Sequence, residues 1–207
     1  MDKAGWPAGQ PDLRQSLRRE TAALHARLDA GLAFPARADR PWYRKFLSTN
    51  TPVIVAEQAL ARSGIETLLP DWPERERRRA LEHDLHALDL VPAHPSLPCI
   101  ASDHASLLGW AYVLEGSRLG ARVVLKFIEE TGSAEIRGAT EFLRHGQDKG
   151  FWMSFSAMLR RSEHDQAFTD RACTAARSAF SLFLAAQSMP IKARSAVQPQ
   201  PPVRGQG

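Results

Sequence analysis

The sequence predicts an all-α protein, a single compact domain of about six to eight helices. Three observations point there. Apolar residues recur at helical spacing along most of the chain. Prolines cluster from Pro35 to Pro98 and again from Pro190 onward, and none lies between, which leaves room for long helices. No segment shows period-two alternation bounded by hairpin turns, and no internal repeat is present. At 207 residues with 43% hydrophobic content, the chain can build one real core.

The elements follow in order. Leu13, Leu17, Leu24, Leu28 and Leu32 form one stripe of a first helix, with Asp12 as its N-cap and Gly31 at its end. A second helix is expected over 40–62, kinked or split by Pro52. A third is expected over 73–88, opening on Pro-Glu and densely charged. Residues 89–100 hold three prolines and read as a loop. A long helix follows over about 103–131, then shorter ones over 133–146 and 150–162 separated by Gly146 and Gly150. A closing helix over 166–188 carries Phe168, Ala172, Ala176, Phe180 and Phe183 on one face. The first eleven residues and the Pro-containing stretch 189–207 have little to bury and are expected to be disordered, leaving 12–188 as the folded domain.

Charge and composition exclude several function classes. The net charge is +4, and three of the cations, Lys192, Arg194 and Arg204, lie in the acid-free tail. The body is therefore close to neutral, which argues against a nucleic-acid protein. No apolar run is long enough to span a membrane, and the N-terminus lacks the apolar core of a secretory signal. Cys99 and Cys173 are far apart and form no C-x-x-C motif, so a reduced, cytoplasmic protein is expected.

Two helices carry residues that suggest chemistry. On the first, Arg18, His25 and Leu32 are seven apart and share a face, with Thr21 and Asp29 one turn either side of His25. This column reads either as a boundary histidine held by Asp29 or as a ligand histidine whose ring is oriented by a partner. The long helix contains Gly109, Gly116 and Gly120, at spacings that bring them within about 40° of one another. Each interior glycine costs about 0.5–1 kcal/mol relative to alanine, so three need a reason. One reason is close packing against another helix; the other is a flat ligand lying on bare backbone. A histidine helix opposite a glycine-faced helix could sandwich a planar group such as an iron porphyrin.

The segment Leu17-Arg18-Arg19-Glu20-Thr21 followed by Leu24-His25-Ala26-Arg27-Leu28-Asp29 resembles the proximal-helix motif of heme oxygenases. Tyr112-Val113-Leu114-Glu115-Gly116-Ser117-Arg118-Leu119-Gly120-Ala121 resembles the distal-helix motif of their bacterial branch, which includes iron-acquisition and bacteriophytochrome-associated enzymes. The E-G-S-x-L-G form is the more specific signal, and the resemblance covers roughly 12–188.

The resemblance implies an all-α fold of the heme oxygenase type, with heme as both cofactor and substrate. It implies oxidative cleavage at a meso carbon to biliverdin, iron and carbon monoxide. Dioxygen is the oxidant, and electrons come from a separate ferredoxin- or flavin-type reductase. A bacteriophytochrome is a conceivable acceptor of the product. His25 matches the proximal iron ligand, and Gly116 and Gly120 match the distal glycines. Ser117 stands where the mammalian-type pattern has an aspartate that organises water. Arg18 matches a basic position used for heme propionates; Thr21, Tyr112 and Arg160 are further heme-binding candidates. Two alternatives stay open: a heme- or tetrapyrrole-binding protein of this fold without turnover, and a helical adaptor whose glycine face merely packs a neighbour.

The run Glu82-His83-Asp84-Leu85-His86 looks metal-like. It sits in a segment carrying Glu74, Arg75, Glu76, Arg77, Arg78 and Arg79, and a solvated face is the expected reading. A di-iron bundle needs paired Glu-x-x-His, and no histidine has a glutamate three residues before it.

Overall fold

The structure is a computed structural model that describes residues 12–161 and 164–192, with nothing said of the Arg161 side chain. Among the described residues there are ten α-helices: α1 Leu13–Ala30, α2 Arg40–Thr49, α3 Pro52–Arg62, α4 Trp72–Arg75, α5 Arg78–Ala87, α6 His104–Thr131, α7 Ala134–Gly138, α8 Glu141–Arg144, α9 Phe151–Arg161 and α10 Gln166–Gln187. A single 3₁₀ turn spans Ile65–Thr67. The flanks expected at 1–11 and 189–207 lie outside the described residues, apart from Met189–Lys192. There the Val91 N–H donates to the Lys192 carbonyl at 3.0 Å.

Local chemistry sets the helix ends. Asp12 accepts from the Gln15 N–H at 2.7 Å, Asp103 from Ser106 at 3.2 Å and Asp165 from Phe168 at 2.6 Å, each capping its helix. Pro52 splits the expected second helix into α2 and α3. At the far end of α1, the Gln187 side-chain amide donates to the Leu28 carbonyl at 2.9 Å and ties that terminus to the end of α10.

Two expected helices are broken by buried carboxylates. The third helix is interrupted at 76–77 because Glu57 on α3 accepts the backbone N–H groups of Arg77 and Arg78 at 2.7 and 2.9 Å, starting α5 afresh. The expected helix over 133–146 divides into α7 and α8 because Asp84 on α5 accepts from the Glu141 and Phe142 N–H groups at 3.0 and 2.9 Å. The solvated-face reading of 74–86 holds for Glu74, Arg79, His83 and His86 and is corrected at three residues: Asp84 is 0% exposed, Arg75 2% and Arg77 1%. Their charges tie neighbouring elements together inside the protein. His83, in contrast, is exposed.

α10 is the central helix. It packs most extensively on α6 and α1, and Ala172, Ala176, Ala179, Phe180 and Phe183 are all buried in the core. The contact with α6 is close at Gly109. A Cβ there would sit 2.2 Å from the Ala172 carbonyl oxygen and 2.8 Å from the Ala175 Cβ. Neither neighbour can swing away. Gly109→Ala is therefore expected to overpack the α6–α10 contact and cost about 1–3 kcal/mol. Thermal unfolding checks this: the expected drop is roughly 2–4 °C per kcal/mol, and an unchanged or raised Tm would contradict it.

Candidate active site

α1 and α6 lie side by side on α10 and make little contact with each other. Where they meet, the Tyr112 hydroxyl faces Thr21. Further along, Phe34 beyond the end of α1 packs edge-on against Phe127 of α6 at 4.9 Å, and Trp42 approaches the same ring at 5.3 Å. Tyr112 and Phe127 are fifteen residues apart on one helix, about 22 Å of cleft length. The floor is α10.

His25 stands on the α1 wall. Its side chain is 62% exposed, and its Nδ1 lies 2.9 Å from the Asp29 carboxylate one turn later. The ring rests 5.7 Å from Phe180 of α10, which limits its tilt. With Nδ1 committed to Asp29, Nε2 is the nitrogen left to act as a ligand. Of the column seen in sequence, the His25–Asp29 pair is present, and the partner that orients the ring is Asp29.

α6 forms the other wall, and its three glycines divide between the two uses anticipated from the sequence. Gly109 packs on α10. A Cβ at Gly116 would meet only the rim of the Trp152 ring, at 3.6 Å, and one at Gly120 would meet nothing within 4 Å. On the same side of the helix, Leu119 and Val123 are large apolar residues left exposed, Val123 at 59%. Bare backbone flanked by uncovered apolar side chains is an unfinished contact surface. A flat apolar ring suits such a surface, and on α1 His25 has a ring nitrogen that Asp29 does not hold. These residues accordingly suit a heme.

The basic residues gather at the Tyr112 end of the cleft. The Arg14 guanidinium lies over the Trp152 ring at 5.9 Å, and both Arg14 and Arg18 act electrostatically on the Tyr112 hydroxyl. Burial outweighs them and raises the Tyr112 pKa. Neither arginine has an ion-pair partner among the described residues. Arg14 escaped the sequence reading because it lies a full turn before Arg18, outside the matched motif; only the Trp152 contact marks it.

Three expected site residues take other positions. Thr21 is buried and donates its hydroxyl to the Leu17 carbonyl at 2.7 Å, so it does not line the open face. The Ser117 hydroxyl faces away from the glycine side. It donates to the Leu114 carbonyl at 2.7 Å and accepts from Arg77 Nη2 at 2.8 Å. Arg160 donates to Ser156 at 3.0 Å on α9, two helical turns and about 12 Å beyond Trp152. It is not brought to the arginine pair.

Behind α6 lies a cluster that the sequence reading missed. Glu115 accepts from Arg75 at 2.8 Å and from Arg118 at 3.0 Å, and Arg75 also holds Asp71 at 2.7 Å. Arg77 faces Glu57 and reaches Leu114 and Ser117 of α6. Burial pushes Glu57 up to about 7, against the opposing pull of Arg77, and brings Arg77 down to about 10. His145 beside this cluster is pushed down to about 4 by burial and by Arg118.

Comparison with known proteins agrees with this geometry. The heme oxygenase family model matches residues 98–187, which include all of α6 and α10 and exclude α1. A heme oxygenase from Xanthomonas campestris pv. campestris (strain 8004) is 31% identical over 122 residues, 58% of this chain and 73% of that protein. The fold is similar to that of the NO- and CO-bound heme oxygenase from Neisseria meningitidis. The TM-score is 0.67 at 20% identity, covering 86% of this chain and 91% of that one. With this sequence relationship, and with the fold in agreement, the chain belongs to the heme oxygenase family.

Proposed function

We propose that the cleft binds heme with His25 Nε2 on the iron, and that the chain oxidises this heme to biliverdin, iron and carbon monoxide. The observation that carries the reading is the opposition of two features. One is a histidine whose Nδ1 is fixed by Asp29; the other is a helix face open at Gly116 and Gly120. Bound heme supplies both the iron that activates dioxygen and the meso carbon that is oxidised.

The chain's own residues do the rest. The Asp29 carboxylate accepts the Nδ1 proton, which keeps the Nε2 lone pair free and directed into the cleft. Gly116 and Gly120 leave backbone uncovered, so that a flat ring could lie against it there. Leu119 and Val123 cover apolar ring surface and exclude water. Arg14, Arg18 and Tyr112 stand at one end of the cleft, where the propionates would find two unpaired guanidinium groups and a hydroxyl. Their position sets the in-plane rotation of the ring and so the carbon attacked.

No residue of the cleft carries electrons, so a separate ferredoxin- or flavin-type reductase is the donor we assign. Cys99 and Cys173 are free thiols, which suits a reducing, cytoplasmic setting. No helix among the described residues is long and apolar enough to cross a membrane. Supply of biliverdin to a bacteriophytochrome is a use consistent with this product.

The test is a hemin titration followed by addition of a reductase system under air. The expected result is a Soret band that bleaches as a broad red biliverdin band grows. A Soret band that persists under turnover conditions would make the protein a heme carrier, and no specific band at all would make the glycine face a packing surface. Removing the arginines tests the orientation. Arg14→Ala and Arg18→Ala are each expected to weaken hemin binding roughly two- to fivefold, as a partly exposed ion pair worth up to about 1 kcal/mol does. They are also expected to change the biliverdin isomer ratio by chromatography. Unchanged affinity and unchanged isomers in the double variant would remove these residues from the propionate site.

A further inference from the structure

We propose that Arg77 is a positioning residue that sets the height of the glycine face of α6; the proposal rests on that face being the wall against which heme lies. Arg77 is 1% exposed and sits behind α6, on the side away from the cleft. Its Nη2 donates to the Leu114 carbonyl at 2.9 Å and to the Ser117 hydroxyl at 2.8 Å. Ser117 in turn donates to the same Leu114 carbonyl at 2.7 Å. One guanidinium thus grips the helix on both sides of Gly116, the residue whose backbone faces the cleft.

A pocket of about 40 Å³ opens beside α6, lined in part by Arg77, Arg118, Leu119, Phe142 and Trp152. Gly116 and Gly120 add no side chains that could anchor the segment from the front. What fixes its position is polar and directional: Arg77 to Leu114 and Ser117, and Arg118 to Glu115 and the His145 carbonyl.

The anchor itself is rigid. The Arg77 backbone N–H donates to Glu57 Oε2 at 2.7 Å, its Nε faces Glu57 Oε1 at 3.7 Å, and its guanidinium stacks on Phe142 at 4.8 Å. Arg77 therefore joins α3, the start of α5 and the Phe142 ring to the one stretch of α6 that faces a ligand with bare backbone. A planar fork can hold two acceptors at once in fixed geometry, which a lysine ammonium cannot reproduce.

The test compares Arg77→Lys, Ser117→Ala and Arg77→Met with the wild type in the full chain. Four properties are measured: hemin affinity, the C–O stretching band of the ferrous carbonyl complex, the biliverdin isomer pattern and thermal unfolding. Arg77→Lys keeps the charge beside Glu57 and leaves His25 untouched, so its hemin affinity should stay within about threefold of wild type. Its carbonyl band is expected to shift or broaden, its isomer pattern to spread, and its turnover to fall roughly tenfold through misplacement of the wall. Ser117→Ala should move the same readouts in the same direction by less, and Arg77→Met by more.

A purely structural role lowers Tm and leaves the carbonyl band and isomers as they were; that result in Arg77→Lys and Ser117→Ala overturns the proposal. If the Arg77 variants do not fold, Ser117→Ala decides alone, and a wild-type carbonyl band in it is the overturning result. Wild-type protein that shows no hemin Soret band overturns the reading of the site itself, and this proposal with it.

Discussion

His25→Ala is expected to abolish the native iron coordination and nearly all turnover while leaving the fold intact. The side chain is 62% exposed and its one ring contact is with Phe180, so removing it opens no core cavity. Losing the ligand itself should cost more than the roughly 10–100-fold that accompanies loss of a residue merely supporting a ligand. The Soret maximum of the hemin complex should move, and added imidazole should restore it by filling the space on the proximal side. Far-UV circular dichroism and Tm should match wild type. Hemin absorbance and turnover that survive the substitution would place the iron on another residue and undo the assignment of α1 as the proximal wall.

Gly120→Leu is expected to raise stability and destroy binding at once. A Cβ at this position meets nothing within 4 Å, so the folded chain accommodates a side chain there. Replacing glycine inside a helix stabilises it by about 0.5–1 kcal/mol, and Tm should rise accordingly. The new side chain stands where a flat ring must lie. Overpacking by a few methylene groups costs about 1–3 kcal/mol, and hemin affinity should fall by about one to two orders of magnitude. Gly120→Ala should show both effects at smaller size. The contrast with Gly109→Ala is the internal control: the same kind of change on the same helix face lowers stability where α10 is in contact and raises it where the cleft is open. A Gly120→Leu protein that binds hemin normally would show that the ring does not rest on this face.

The helical architecture was legible before the structure because the core periodicity is dense and the breakers are few. The leucine stripe of α1, its cap at Asp12 and the proline-free span that holds α6 and α10 are all local signals, and the structure keeps each of them. Which residues share a face was also legible, because Arg18, His25 and Asp29 on α1, and Gly109, Gly116 and Gly120 on α6, recur at helical spacing.

What sequence periodicity misread has one physical cause. A run such as Glu74 to Arg79 reads as solvated because isolated charges are costly to bury. Glu74 and Arg79 do stay exposed, but Arg75 and Arg77, and Asp84 further along, are buried because each meets an opposite charge or backbone groups from a distant element: Arg75 with Glu115, Arg77 with Glu57, and Asp84 with the N–H groups of Glu141 and Phe142. Such partners are invisible at short range. The same holds for Ser117, whose place in the motif suggests a role in the cleft until Arg77 is seen holding it from behind. It holds too for Arg14, which enters the site through Trp152 of α9.

By itself, the sequence determined the helices, their apolar faces and the residues that face outward on α1 and α6, since all of these follow from propensity and spacing along one chain. Only the tertiary structure decided which glycine packs a neighbour and which is left open, which arginines reach the cleft, and which hold it from behind. Those outcomes depend on groups far apart in sequence that meet only when α10 brings α1 and α6 together.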